Sequence, residues 1–161
     1  MGHPDIPRII RDTLGPAWRP PPRLSVSEWA NRFRYLSPEA SAEPGRWNNS
    51  RAPHLVAPMD RLSPTSATER VVLKFSSQSG KSECLLNFIG FIVDLDPGPV
   101  LCIQPNVTPM GESFSKDRVK PMLRDSPSLA AKIGTAKGRT SAQTITHMVF
   151  PSGHLTIAGA N

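Results

Sequence analysis

The chain has 161 residues and a mass of 17.6 kDa, enough to bury one sizeable core and short for two domains. Its formal charge of +6 and pI of about 9.9 allow a polyanionic partner, although an uneven or truncated chain shows the same excess. No apolar stretch reaches membrane-spanning length, the N-terminus lacks the apolar core of a secretion signal, and the only cysteines, Cys84 and Cys102, sit in apolar runs that read as buried thiols, which suits a reducing cytosol.

In chain order, 18 prolines load heavily into the first 64 residues, which therefore read as irregular and wrapped around something. Residues 1–23 are expected to be an arm, because Pro16, Pro20, Pro21 and Pro22 forbid a helix there. Trp18 is an anchor or an exposed aromatic. A short helix is expected from Ser25 or Ser27 to about Tyr35, with Glu28 in capping-box spacing from Ser25 and Val26, Trp29 and Phe33 on one face. Ser37–Arg51 reads as a loop carrying Trp47, and Pro53–Leu62 as a second short helix with Pro58 inside it. These elements form an N-terminal region, 1–64, of arm and packing helices.

The second region, 65–161, opens on a polar turn and then Val71-Val72-Leu73-Lys74-Phe75, which reads as a buried strand. Ser76-Ser77-Gln78-Ser79-Gly80-Lys81-Ser82 follows, and then an apolar helix from Lys81 to about Val93. Strand, tight loop, Gly-Lys-Ser and helix are the context of a nucleoside-triphosphate phosphate loop. In that reading the loop from Ser76 to Ser82 cradles the phosphates of ATP, Lys81 reaches the β- and γ-phosphates as the catalytic lysine, and the Ser82 hydroxyl ligates Mg²⁺. Phe75 stands where the usual motif has its first glycine, and Gly-Lys-Ser alone is a weak tripeptide that often marks a solvated turn.

Pro99–Gln104 reads as a second buried strand, joined to the first by a right-handed crossover through the helix, so that Gln104 lies at a carboxyl strand end where open α/β sheets place ligands. Residues 107–124 read as a helix with a bend near Pro121 and with Lys116, Lys120 and Arg124 at four-residue spacing on one stripe. That stripe is a DNA-phosphate contact or a solvated face. Ala131–Arg139 reads as a loose basic segment, and Thr144–Phe150 with His154–Ala158 as two strands joined by a tight turn. His147 and His154 lack the spacing and partners of metal ligands. The whole is an α/β fold of P-loop NTPase type (RecA-like, ASCE), a mainly parallel sheet with flanking helices, incomplete within this chain.

Hydrolysis also requires a carboxylate at a strand end to hold Mg²⁺ or its water. Asp94 falls at the far end of the helix leaving the loop, the Pro99 strand ends in Gln104, and Asp117 and Asp125 lie in a polar helix and its exit. The catalytic carboxylates are therefore absent or come from beyond Asn161, and the chain reads as the front portion of a longer protein or a truncated product.

Taken together, Ala52-Pro53-His54-Leu55 with Met59-Asp60, Val71-Val72-Leu73 leading into Ser77-Gln78-Ser79-Gly80-Lys81-Ser82-Glu83, Pro97-Gly98-Pro99-Val100-Leu101, Gln104-Pro105, Phe114–Arg118, Pro121-Met122 and Gly153-His154-Leu155 with Gly159-Ala160-Asn161 carry a resemblance. From about Trp18 to its last residue the sequence resembles the amino-terminal ATPase portion of phage terminase large subunits of the lambda-like, GpA-type group. Phosphate loops of that family often lack the first glycine, so Phe75 fits. The resemblance implies a motor in the host cytoplasm that couples ATP hydrolysis to translocation of double-stranded DNA into a procapsid. It implies a homo-oligomeric ring at the portal, a small terminase subunit as partner, and a carboxy-terminal nuclease domain with no counterpart here. Lys81 and Ser82 take the phosphate and Mg²⁺ roles, Gln78 faces the phosphates, and Arg118 reads as a salt-bridge or DNA-facing residue rather than an arginine finger. The rival readings are a nucleotide- or DNA-binding module without turnover, a non-functional truncated remnant and, more weakly, a small-molecule kinase. Turnover by this polypeptide alone is not expected.

Overall fold

The computed structural model describes residues 22–136 and 144–160. Most of the expected arm, including Trp18, lies outside the described residues, as do Lys137, Arg139 and Asn161. The first helix, α1 (Val26–Phe33), begins as its sequence dictates. Ser25 accepts from the Glu28 amide and Glu28 reaches back to the Ser25 amide, a complete capping box. Val26, Trp29 and Ala30 form its buried face.

The stretch read as a loop holds a short antiparallel pair, β1 (Tyr35–Leu36) and β2 (Gly45–Arg46), and a 3₁₀ turn at Asn49–Arg51. A second 3₁₀ turn, Pro53–Leu55, leads into α2 (Val56–Arg61), where Pro58 is tolerated because a first-turn amide needs no helical partner.

The Val71–Phe75 expectation fails. The segment runs without a ladder partner, and Val72 is 79% exposed. Leu73 packs on the core, while Lys74 and Phe75 are exposed. Apolar composition supplied the strand pattern, but a strand also needs a neighbour to pair its amides, and the described residues offer none. The expected crossover from this segment through the helix to the next strand therefore does not form.

The helix itself, α3 (Lys81–Asp94), matches the expectation within a residue. Its apolar girth is buried through Cys84, Leu86, Ile89, Phe91 and Val93. At Gly90 the Trp29 ring lies so close that an added Cβ would sit 2.3 Å from Cη2. The Trp29 indole donates to Asp94 Oδ2 at 2.8 Å, and Lys132 Nζ lies 3.1 Å from Asp94 Oδ1. Asp94 is thus a structural anchor, roughly 20 Å along the helix from the loop at 1.5 Å per residue.

The sheet comprises β3 (Pro99–Gln104), β4 (His147–Phe150) and β5 (Gly153–Gly159) in the order β3-β5-β4. β5 pairs in parallel with β3, Pro99 opposite His154, and antiparallel with β4 across the expected tight turn. One parallel and one antiparallel pair make the sheet mixed rather than mainly parallel. Met148, Phe150, Leu155 and Ile157 join α3 in one core, whereas Leu101 and Ile103 on the opposite face are 62% and 60% exposed.

Between β3 and β4 runs α4 (107–125), a succession of α and widened π turns kinked near its start at Thr108, whose backbone is extended. Asn106 caps it by accepting from the Met110 amide, and Pro121 sits at the start of its last α segment rather than ending it. Next comes α5 (Pro127–Ala136), so the expected looseness of 131–139 is wrong at least through residue 136. Its apolar side carries the buried Leu129, and Ile133 packs on the core, which ties down a segment that glycine and lysine content made look irregular.

Candidate nucleotide-binding site

The loop between Phe75 and α3 is shaped by two left-handed residues, Gln78 at φ 56° and Gly80 at φ 83°. Gly80 is suited to that conformation, and its bare Cα also admits Leu55, whose Cδ1 would stand 2.9 Å from an added Cβ. Such alternation of backbone turns the amides of the loop and the first helical turn toward one side. Among the described residues, the N–H groups of Gly80, Lys81, Ser82 and Glu83 donate to no protein acceptor, and helical bonding begins with Cys84 N–H to Gly80 O at 3.1 Å. Four free donors and the positive end of a 14-residue helix make a site for an anion.

The Lys81 ammonium curls back over the loop and donates to Phe75 O at 3.3 Å and Ser76 O at 2.5 Å. Ser79 Oγ also donates to Ser76 O, at 2.8 Å. Ser76, Ser77, Gln78 and Ser82 are exposed, and Ser79, Gly80 and Lys81 half-buried. The seven predicted phosphate-binding residues are contiguous and form this one turn, with the Lys81 amine at its mouth. Ser82, one residue into the helix, keeps its hydroxyl exposed.

Sequence reasoning missed the supports of this turn. His54 Nε2 bonds the Ser79 carbonyl at 2.9 Å, and its ring meets Phe75 edge-on at 5.9 Å. Ala52-Pro53-His54-Leu55 therefore holds the loop from below, with Leu55 against Gly80 and His54 against Ser79. It also missed the grip on Glu83, the residue after Ser82. Arg34, only 3% exposed, donates from Nη2 to Glu83 Oε2 at 3.1 Å, and Arg118 Nη1 lies 3.6 Å from Oε1. Burial pushes the Arg34 pKa down, opposed by the Glu83 charge. Nothing in the pattern Arg32-Phe33-Arg34 distinguishes the buried arginine from the exposed one. Arg118 also donates to Ala40 O at 2.8 Å, and its contact with Glu83 is the ion pair that the salt-bridge reading expected.

Lys116, Lys120 and Arg124 do come together, along one cleft of about 670 Å³ whose walls include Leu123, Ile133 and Met148. Two of the three are partly neutralised: Lys116 by Glu112 at 3.2 Å, Arg124 by Asp125 at 2.6 Å and Glu39 at 3.2 Å. Hydrogen bonds from Arg124 hold the Asp125 carboxyl below its usual range. Gln104 ends its strand as expected, in a separate cleft with Asp117 and Arg118, its Nε2 directed at Cys102 Sγ 3.4 Å away. His147 Nδ1 lies 3.1 Å from Thr156 Oγ1, and among the described residues no group of three or more His, Cys, Asp or Glu is placed to hold a metal ion. No helix of the described residues is long and apolar enough to cross a membrane.

A mixed α/β fold carries a glycine–lysine–serine turn at the head of a buried helix, and comparison with known families gives the chain a family. Residues 41–161 match the phage terminase large subunit gpA ATPase domain, and the chain belongs to that family. It is 30% identical over 145 residues to the terminase large subunit of Escherichia phage lambda, covering 90% of this chain and 22% of that protein. It is 29% identical over 133 residues to the terminase large subunit of Enterobacteria phage P21, covering 83% of this chain and 20% of that one. The chain thus spans about a fifth of the length of the curated relatives it matches. No solved structure matches.

Proposed function

We propose that this chain is the ATP-binding portion of a viral DNA-packaging motor, which in its complete form couples ATP hydrolysis to translocation of double-stranded DNA into a procapsid. One observation carries the reading. The amides of Gly80–Glu83 are free of protein acceptors at a helix N-terminus, with the Lys81 ammonium resting on carbonyls a few ångströms away. Phosphate oxygens are better acceptors for that ammonium than two backbone carbonyls, so Lys81 exchanges one set of partners for the other at little cost.

The residues present fit a triphosphate. Ser76–Ser82 would hold it, and the exposed Ser82 hydroxyl would supply one ligand to Mg²⁺, whose chemistry is to neutralise charge on the β- and γ-phosphates. Among the described residues no carboxylate for the metal's water is assembled at this turn. The nearest acid, Glu83, is committed to two arginines, and Asp94 is anchored at the other end of α3. Nucleotide binding without turnover is therefore the behaviour proposed for these residues by themselves. The basic stripe supports double-stranded DNA as a partner. Membership of the family supports the host cytoplasm, a homo-oligomeric ring, a small terminase subunit and the portal of the procapsid as the setting of the whole protein.

Equilibrium titration of the chain with magnesium-ATP tests this. Lys81→Ala removes a charged hydrogen bond worth about 1.5–3 kcal/mol, a loss of about 10- to 100-fold in affinity. Equal affinity of the two proteins refutes the placement of phosphate at the loop.

A further inference from the structure

The face of the sheet turned away from the core carries two histidines that the phosphate loop does not use. Along β4 and β5 the core takes Met148, Phe150, Leu155 and Ile157, so strand alternation sends His147 and Val149, with His154 and Thr156, to the opposite face. In the register His147 stands opposite Thr156, and Val149 opposite His154. The two histidines are therefore diagonal neighbours, a separation that long side chains span. Their ring centroids lie 5.4 Å apart with the planes tilted by 39°. His147 Nδ1 is hydrogen-bonded with Thr156 Oγ1 at 3.1 Å, which orients that ring and leaves Nε2 outside the bond. The spacing in the sequence hid the pair, because a hairpin rather than one turn of helix brings it together.

We propose that His147 and His154 form a chelating site for a divalent first-row transition-metal cation, Zn²⁺ foremost, on the outer face of the sheet. The geometry decides between chelation and mere ring contact. A Zn–N bond of about 2.0–2.1 Å puts each imidazole centroid about 3.2 Å from the metal, and a tetrahedral angle then separates the two centroids by about 5.2 Å. The observed 5.4 Å reaches that arrangement without movement of the strands. A tilt of 39° is neither the offset stack nor the edge-to-face contact of rings that attract each other directly. The donors also set the cation. Imidazole suits zinc, copper and nickel, whereas Mg²⁺ and Ca²⁺ take oxygen ligands. The other strand residues on this face, Pro99, Leu101, Ile103, Val149, Thr156 and Ala158, include no carboxylate. Two nitrogens leave half of a tetrahedral shell open, for water or for a donor from outside the chain. The site is separate from the Mg²⁺ proposed at Ser82 and stands whether or not the loop binds nucleotide.

Titration of the full chain with zinc chloride tests this, read from the histidine ring signals of a proton–nitrogen spectrum and from the heat of binding. Zn²⁺ is expected to shift the His147 and His154 rings together and saturably, and Mg²⁺ at the same concentration to move neither. Thr156→Val frees the His147 ring and is expected to weaken Zn²⁺ binding about tenfold, the usual cost of a lost outer-shell bond. His147→Gln and His154→Gln each remove a ligand from this outer face and are expected to weaken it by more than that. Should a variant lose its fold, the ring signals of the wild-type chain decide the matter without any substitution. A wild-type chain that takes no Zn²⁺, or that takes it at Cys102 or another histidine while these two rings stay unmoved, overturns the proposal. So does wild-type affinity in either glutamine variant, or an equal response of the rings to Mg²⁺.

Discussion

Replacing Glu83 by glutamine tests the grip on the first turn of α3. The substitution keeps the side-chain volume and deletes the charge that compensates Arg34. Removing one partner of a buried ion pair costs about 3–5 kcal/mol, because the other charge stays behind without water. Arg34 is buried at 3% exposure, but Glu83 is 18% exposed and its surroundings rehydrate in part, so the cost falls somewhat below that range, to about 2–3 kcal/mol. Loss of the looser Arg118 contact, to a side chain 44% exposed, adds little. With a urea m-value of about 2 kcal/mol per molar, the unfolding midpoint falls by about 1–1.5 M. Fluorescence of the buried Trp29 and Trp47 reports the transition. The second arm is Arg34→Met in the Glu83→Gln background, which replaces the stranded charge by an apolar chain of similar length and should recover most of the loss. A Glu83→Gln midpoint within about 0.2 M of wild type, or a double variant less stable than the single one, refutes the reasoning.

Two further tests address packing. Gly90→Ala gains about 1 kcal/mol of helix propensity but drives a methyl to 2.3 Å from the locked Trp29 ring, so net destabilisation of about 1–2 kcal/mol is expected in the same assay, cancelled in a Trp29→Phe background. Burial raises the Cys84 thiol to about 11 and leaves it 0% exposed, so an aromatic disulfide reagent at pH 8 should modify Cys102 first and reach Cys84 at the rate of unfolding. Equal rates at both cysteines would refute the buried placement of α3.

Where sequence signals were local, they were legible. The capping box at Ser25 and Glu28, the apolar run of α3, the Pro99–Gln104 strand (though not its expected burial, since Leu101 and Ile103 face outward) and the hairpin around Ser152 each depend on neighbours within a few residues. Pairing and burial partners were not legible. Val71–Phe75 has the composition of a strand, but whether it joins a ladder depends on another segment's edge, which composition does not encode. Arg34 and Glu83 stand 49 positions apart, and only the packing of α1 on α3 makes one buried charge answer another. His54 gave a motif without a chemistry, because its role is to hold the carbonyl of Ser79 rather than to present a reactive group.

The central claim is that the amides at the head of α3 receive phosphate, and the most direct measurement follows those amides. In a two-dimensional proton–nitrogen spectrum of the labelled chain, magnesium-ATP is expected to shift the Gly80, Lys81, Ser82 and Glu83 resonances first and furthest, in a saturable manner, with Lys81→Ala abolishing the shift at the same concentration. Saturable shifts elsewhere on the chain, with these four amides unmoved, would contradict the account.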